Sequence, residues 1–180
     1  HYVDFQDNFL KYSRDGAFYT EYDGDLIWNY TYEMDDPQID VCGNYILIYD
    51  VQGTQAAILT NTGFKQTIKT AMPIVDANIA SQGTVAILMQ DGEAGYVQVC
   101  NDAGKVLASG ELHMKNSGYP LAIALSSTAQ RLMVSQLDVK DGNVKTTISF
   151  YDFSNKGKDE IDNIVATYSF SDQIIPQIAY

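Results

Sequence analysis

The chain has 180 residues, 46% of them hydrophobic, which is enough to bury a sizeable core. Its 11 basic and 23 acidic residues give a formal net charge of −12. Because nucleic acids and anionic lipids attract cationic surfaces, this charge argues against both as partners. No apolar run approaches the roughly 20 residues that a membrane-spanning helix requires, so we expect no membrane contact by this segment.

The sequence is dominated by short segments in which apolar and polar residues alternate, separated by glycines, as is typical of β-strands. Residues 1–36 form the first group of such segments, with predicted turns at Gly16 and Gly24. This group is rich in acidic residues, which indicates a solvated surface or, alternatively, attraction for a cation or a basic partner. The one candidate helix, Lys158–Ala166, is short. We therefore predict an all-β protein.

Prolines and glycines recur at matching places along the rest of the chain. Each proline precedes an alternating apolar segment, as expected at the first residue of a strand, where the missing N–H need not enter a ladder. Two glycine turns follow in each repeat, because tight hairpins favour glycine at positive φ. The prolines are Pro37, Pro73, Pro120 and Pro176; the first glycine series is Gly53, Gly92 and Gly142, and the second is Gly63, Gly104 and Gly157.

We interpret residues 1–180 as a single region. The recurring prolines and glycines divide it into four units, each predicted to form four antiparallel strands. The units are 1–36, 37–72, 73–119 and 120–175. Their lengths straddle the roughly 40–50 residues of a four-stranded propeller blade. The sequence therefore predicts a β-propeller-type fold. The alternative is an irregular sandwich or meander whose glycines fall in phase by chance.

Pro176–Tyr180 looks like the first strand of a fifth unit. Since each propeller blade buries its faces against two neighbours, four blades in an open array leave two apolar faces uncovered. We expect that the natural chain continues, which makes this an incomplete propeller, or that copies of the chain associate to cover those faces.

The clearest hairpin lies at Tyr119–Ser135, where strands near 120–125 and 131–137 flank a polar turn. Within it, Ala124–Ser135 resembles the strand–turn–strand motif of TolB-like and WD40-like propellers. In those propellers a Pro-Asp-Gly turn usually follows the serine, whereas residues 127–130 here read Ser-Thr-Ala-Gln. The match is therefore to the blade type.

Together with this hairpin, four further segments are similar to an uncharacterised family from clostridial gut Firmicutes. These segments are Phe9–Gly16, Ile27–Asn29, Cys42–Tyr45 and Ser117–Leu121. The resemblance covers essentially the whole chain. It implies a propeller-like extracellular region of a single-pass, cell-surface-anchored protein, with the anchor upstream of His1 and further blades beyond Tyr180. It implies no activity and no catalytic residues.

Residues with nucleophilic or metal-binding chemistry are few and scattered. Cys42 and Cys100 are predicted to be two buried thiols, since two distant cysteines do not make a disulfide framework. His1 and His113 supply no clustered metal ligands, and we interpret His113 as an ordinary loop histidine. No glycine pattern of a phosphate or dinucleotide site is present. We therefore assign no catalytic, metal or cofactor-binding residues and expect no cofactor.

Aspartates recur in the predicted turns between the second and third strands of each unit. They are Asp15, Asp50, Asp91 and Asp141. In a propeller these turns lie on one face, where four acids could attract Ca²⁺ or a basic ligand. The stronger interpretation is that tight hairpins simply favour aspartate beside glycine.

Aromatic residues are concentrated early in the chain. Alternation places Leu26, Trp28, Tyr30 and Tyr32 on one face of a predicted strand. Such a row is either a stacking platform for a sugar or peptide, or packing between blades, and we favour packing.

Two classes of function remain open. We expect a non-catalytic extracellular binding or scaffold domain, anchored at the cell surface, with unknown ligand-binding residues and a protein or cell-envelope glycan as partner. The alternative is a propeller-type enzyme such as a glycan-active hydrolase; a quinone-dependent dehydrogenase is disfavoured by the single tryptophan. Two carboxylates about 5–10 Å apart in a pocket would favour the hydrolase.

Overall fold

The structure, a computed structural model, describes residues 1–154 and 163–180, in which the strands form four antiparallel sheets of four strands each. The first two sheets contain β1 (Tyr2–Phe5), β2 (Asn8–Ser13), β3 (Gly16–Thr20), β4 (Leu26–Thr31), β5 (Pro37–Cys42), β6 (Tyr45–Asp50), β7 (Gln55–Thr60) and β8 (Gly63–Lys69). The other two contain β9 (Ile74–Ile79), β10 (Val85–Asp91), β11 (Ala94–Cys100), β12 (Val106–Glu111), β13 (Tyr119–Leu125), β14 (Arg131–Lys140), β15 (Asn143–Asp152) and β16 (Ile164–Ser171). A short helix, α1 (Met114–Ser117), precedes β13.

Every sheet is a meander in which neighbouring strands follow chain order. The predicted hairpin is confirmed, because β13 pairs with β14 in a register that places Ile123 opposite Val134. Between β14 and β15, Asp141 and Gly142 have φ angles of 52° and 79°. Two consecutive positive φ angles are what a type I′ hairpin turn requires, so the aspartate–glycine pair serves the turn there. The all-β fold of four four-stranded units is thus confirmed.

Three details differ from the sequence prediction or lie beyond what can be described. Of the candidate helix Lys158–Ala166, residues 158–162 fall outside the described residues, as does the predicted turn at Gly157. Residues 164–166 belong to β16 and pair with β15, so this helical alternative does not apply to them. Pro176–Tyr180 belongs to no strand, because no partner strand lies beside it among the described residues. The fourth sheet begins at Tyr119, one residue before the predicted boundary.

The sheets stack through strands that are apolar on both faces, and β6 shows how. Ile46 and Ile48 pack into a cluster with residues of the first sheet, whereas Leu47 and Tyr49 pack into a cluster with the third. Successive side chains of a strand point to opposite faces, so one continuous apolar run serves two interfaces. Burying each such aliphatic side chain contributes about 1.5–3 kcal/mol.

The same stacking continues between the third and fourth sheets, where Leu88, Ile123 and Val134 share a cluster. The far face of the fourth sheet is partly covered by the C-terminal segment, residues 173–180, through Ile175 and Ile178. Hydroxyl groups hold that segment as well: Ser135 donates to the Ile175 carbonyl at 2.8 Å and Thr146 to the Gln173 carbonyl at 2.6 Å. Within residues 1–154 and 163–180, no helix is long and apolar enough to cross a membrane.

Candidate functional site

The turn aspartates do not come together as a cation site. Asp15, Asp91 and Asp141 are exposed, whereas Asp50 is buried and its carboxylate accepts the Asp36 backbone N–H at 2.8 Å. Among the described residues, no group of three or more histidine, cysteine, aspartate or glutamate side chains could hold a metal ion. These aspartates therefore serve their hairpins and, at Asp50, the connection between sheets.

The early aromatic residues pack between the first and second sheets. The Trp28 indole N–H donates to the Asn61 carbonyl at 3.1 Å, and the Tyr30 ring stacks on Phe64 with centroids 4.5 Å apart. Leu26, the first member of the predicted row, is instead 58% exposed. A register shift where β3 meets β4 separates it from the row, so the packing interpretation holds for Trp28 and Tyr30.

The two cysteines are free thiols, but only Cys100 is buried; Cys42 is half-buried, so the prediction of two buried thiols was wrong for it. Cys42 is the last residue of β5, where the sheet ends and solvent reaches the side chain. Burial raises the pKa of both thiols, and for Cys42 the neighbouring Asp40 charge adds to the effect. Raised thiol pKa values disfavour the thiolate that a nucleophile or metal ligand requires.

A concave groove with a volume of about 530 Å³ lies between the third and fourth sheets. We call it the interblade groove. One wall comes from β11, β12 and the residues that follow, and the other from β14, β15 and β16. Its lining residues are Val97, Val99, Ala108, Ser109, Gly110, Glu111, Leu112, His113, Ser117, Leu132, Gln136, Ser149, Tyr151, Phe153, Asn163, Ile164 and Thr167.

The groove opens because the two sheets are in contact at their inner strands and separate towards their outer ones. On β14, Leu132 and Val134 join the apolar cluster, while Gln136 on the same face lines the groove. At the outer edge, all six residues of β12 are exposed. The inner part of the interface is therefore core, and the outer part is a ligand-sized space.

The groove lining combines apolar and polar side chains. The Gln136 side chain is 3% exposed and donates to the Gly118 carbonyl at 2.9 Å, which fixes its position. Among the described residues that line the groove, Glu111 is the only acidic one and none is a lysine or arginine; His113, predicted to be a loop histidine, is exposed. Binding sites typically combine apolar contact surface with placed polar groups.

A second cluster, absent from the predicted site residues, lies on the inner strands. The Asp76 carboxylate accepts the Tyr49 hydroxyl at 2.8 Å and the backbone N–H of Ile123 at 2.9 Å. Asp40, on the preceding inner strand, accepts the backbone N–H of Ile79 at 2.8 Å. The two carboxylates thus connect consecutive sheets.

Burial raises the pKa of both Asp40 and Asp76, and hydrogen bonds to their carboxylates oppose that shift only in part. Burial, followed by the charge of Asp76, also raises the pKa of Tyr49. The sequence contained a signal for this cluster: Asp4, Asp40 and Asp76 occupy the same place in the first strands of three successive units. An aspartate in the middle of an otherwise apolar strand calls for hydrogen-bond donors.

Comparison with known proteins supports the fold, which defines the chain as a propeller-like domain. Solved structures similar to it include the following three. The WD40 domain of Neurospora crassa Pan2 has a TM-score of 0.56 at 9% identity, covering 86% of this chain and 48% of that one. BamB from Moraxella catarrhalis has a TM-score of 0.55 at 14% identity, covering 86% and 61%. Apo AztD from Citrobacter koseri has a TM-score of 0.56 at 10% identity, covering 94% and 49%.

The chain belongs to DUF5711, a family of unknown function whose profile matches residues 1–180. No curated protein matches it. The chain spans about half to three fifths of the length of the three solved structures. At such low identity the likeness concerns the fold alone.

Proposed function

We propose that this chain is a non-catalytic binding domain that engages its ligand in the interblade groove. The observation that carries the proposal is the groove itself, whose volume of about 530 Å³ lies within the roughly 300–1,000 Å³ of ligand sites. Its apolar side chains supply contact area, and Gln136, which is fixed by its hydrogen bond to the Gly118 carbonyl, supplies orientation. The partner is a protein or a cell-envelope glycan.

The proposed location is the outside of the cell, with anchoring through a segment upstream of His1. The resemblance of segments such as Phe9–Gly16 to a clostridial cell-surface family is what supports this location. Association between copies is part of the proposal, because aromatic side chains are exposed on β3 and on the connection that follows it, with Phe18 44% and Tyr22 64% exposed. Sedimentation of a monomer at all attainable concentrations would contradict this association.

Gly110 offers a direct test of the groove. It lies opposite Val97 in the sheet, so a side chain there points into the groove, and a Cβ atom would meet nothing within 4 Å. Gly110→Phe should therefore fill the space without disturbing the fold. Leu107→Phe is the matched control, since Leu107 lies in the same strand, is 56% exposed and is not part of the lining.

The experiment measures binding of wild type and both variants to purified peptidoglycan, to a glycan array and to envelope proteins. We expect Gly110→Phe to lose binding and Leu107→Phe to retain it, with unchanged circular dichroism for both. Equal binding by Gly110→Phe and wild type would reject the groove as the ligand site.

One observation favours a glycan-active hydrolase as the second candidate. Asp40 and Asp76 are partly buried carboxylates with raised pKa values, a property of general acids in glycosidases. Their oxygens, however, accept backbone N–H groups of the neighbouring sheet, which accounts for their burial. Release of reducing sugars from envelope glycan by wild type, abolished in a folded Asp40→Asn variant, would establish the hydrolase.

A further inference from the structure

We infer that the interblade groove binds an N-acetylated sugar, whose acetamido group is held between Gln136 and Ser149. This inference rests on the proposed binding function and narrows its ligand to one class of glycan. Three observations support it: two buried polar side chains with free bonding capacity, the spacing of those side chains, and the apolar surface around them.

Two polar residues of the groove are buried yet keep unused hydrogen-bonding groups. Gln136 and Ser149 line the groove and are only 3% and 6% exposed. The Gln136 amide nitrogen donates to the Gly118 carbonyl, which leaves the amide oxygen, Oε1, as a free acceptor. In the part of the chain that the structure describes, nothing donates to this oxygen and nothing bonds the Ser149 hydroxyl. Because buried polar groups are almost always paired, two free ones beside a ligand-sized space point to a ligand that pairs them.

The spacing of the two side chains suits a single amide group. Ser149 pairs with Val134 in the fourth sheet and Gln136 with Thr147, so Gln136 and Ser149 are diagonal neighbours on one face. Diagonal neighbours of a sheet lie about 7–8 Å apart. A trans secondary amide directs its N–H and its C=O to opposite sides. One amide placed between the two residues can therefore donate to the Gln136 Oε1 and accept from the Ser149 hydroxyl.

Apolar groups surround this pair. Tyr151 lies two residues after Ser149 on the same face of β15, is half-buried and packs with the apolar cluster between the two sheets. Val97 and Val99 line the wall that the third sheet provides. An acetamido group ends in a methyl group, and a sugar ring has faces of C–H groups. Both kinds of surface gain from contact with aliphatic and aromatic side chains.

The same features favour a sugar over a peptide. A peptide presents a backbone amide about every 3.3 Å, so several amides would need partners in the buried part of the groove. Gln136 and Ser149 provide partners there for one. A sugar carries a single acetamido group, and its other polar groups are hydroxyls that remain hydrated at the open side. Thr167, the exposed neighbour of Ser149 on β16, adds a hydroxyl at that side.

The test measures binding of N,N′-diacetylchitobiose, a disaccharide of N-acetylglucosamine, by calorimetry and by saturation-transfer NMR. Cellobiose is the matched ligand, because it has hydroxyl groups in place of the two acetamido groups. We expect wild type to bind diacetylchitobiose and not cellobiose, and Gly110→Phe to bind neither. Ser149→Ala removes one hydroxyl from the site and should weaken binding of diacetylchitobiose about fivefold.

Ser169→Ala is the matched control for Ser149→Ala. It removes a hydroxyl from the same face of the fourth sheet, since Ser169 pairs with Thr147, but Ser169 is exposed and is not part of the groove lining. Ser169→Ala should bind diacetylchitobiose as wild type does. Circular dichroism should be unchanged in both variants.

The outcomes separate the ligand class from the binding function. Equal affinity of wild type for the two disaccharides would overturn recognition of the acetamido group, and so would equal binding by Ser149→Ala and wild type. If neither disaccharide binds but an envelope protein does so in a way that Gly110→Phe abolishes, the sugar ligand is rejected and the binding function stands. If Gly110→Phe retains every ligand that wild type binds, the proposed function fails as well.

Discussion

Replacing Asp76 with alanine should be among the most damaging single changes in this protein. The change removes the acceptor of the Tyr49 hydroxyl and of the Ile123 N–H, in residues that are 7% and 1% exposed. Each orphaned donor costs about 1–3 kcal/mol. Relief from removing a partly buried charge offsets a fraction of this, so we expect a net loss of about 2–4 kcal/mol in the free energy of unfolding.

The matched control is Asp4→Ala. Asp4 occupies the corresponding place in β1, but it is exposed, so its loss should change stability by less than about 0.5 kcal/mol. Urea unfolding followed by circular dichroism and by Trp28 fluorescence measures both variants. If Asp76→Ala destabilises no more than Asp4→Ala, the carboxylate does not connect the sheets and the reasoning fails.

Three further outcomes are expected. Burial raises the pKa of Asp76 in the folded protein, so protonation of Asp76 stabilises the folded state at low pH, and this stabilisation is lost as pH rises through the folded-state pKa. In urea titrations, wild type should therefore gain stability relative to Asp76→Asn as pH is lowered towards about 4. Gly118→Ala should destabilise far more than Gly92→Ala in thermal melts, because both glycines have positive φ but only at Gly118 would the Cβ meet backbone, 2.1 Å from a carbonyl oxygen. A thiol reagent should modify half-buried Cys42 slowly in the native protein at neutral pH, because burial raises the pKa of its thiol, and should modify buried Cys100 only on unfolding; equal rates in the native protein would contradict the burial.

The strands were predictable because their signals are local. Pro37 and Pro120 each lie at or next to the start of an inner strand, and Asp141 with Gly142 forms the expected turn. Such signals depend on φ and on a missing N–H, properties of one or two residues. Pro176 shows their limit: the residues after it have a strand-like pattern, but a strand also needs a partner, and they rest on the face of the fourth sheet instead.

The interblade groove could not be predicted, because it depends on how far apart two sheets lie. Nothing in the sequence distinguishes Gly110 from the glycines of turns. Only its pairing with Val97 in the sheet shows that the absence of a side chain at Gly110 leaves space in the groove. The inner carboxylates were partly predictable. The repeated aspartate at Asp40 and Asp76 was visible, whereas the donors come from residues up to 47 positions away in the chain.

The bonds of Asp76 also bear on how the protein unfolds. A stack of sheets in which each packs on its neighbour behaves as a linear array, whose end units open first and independently. Asp76 lies in the third sheet and accepts donors from the second, through Tyr49, and from the fourth, through Ile123. Three of the four sheets therefore share one partly buried carboxylate, so amide hydrogen exchange should show these three opening as a single cooperative unit while β1–β4 exchange sooner.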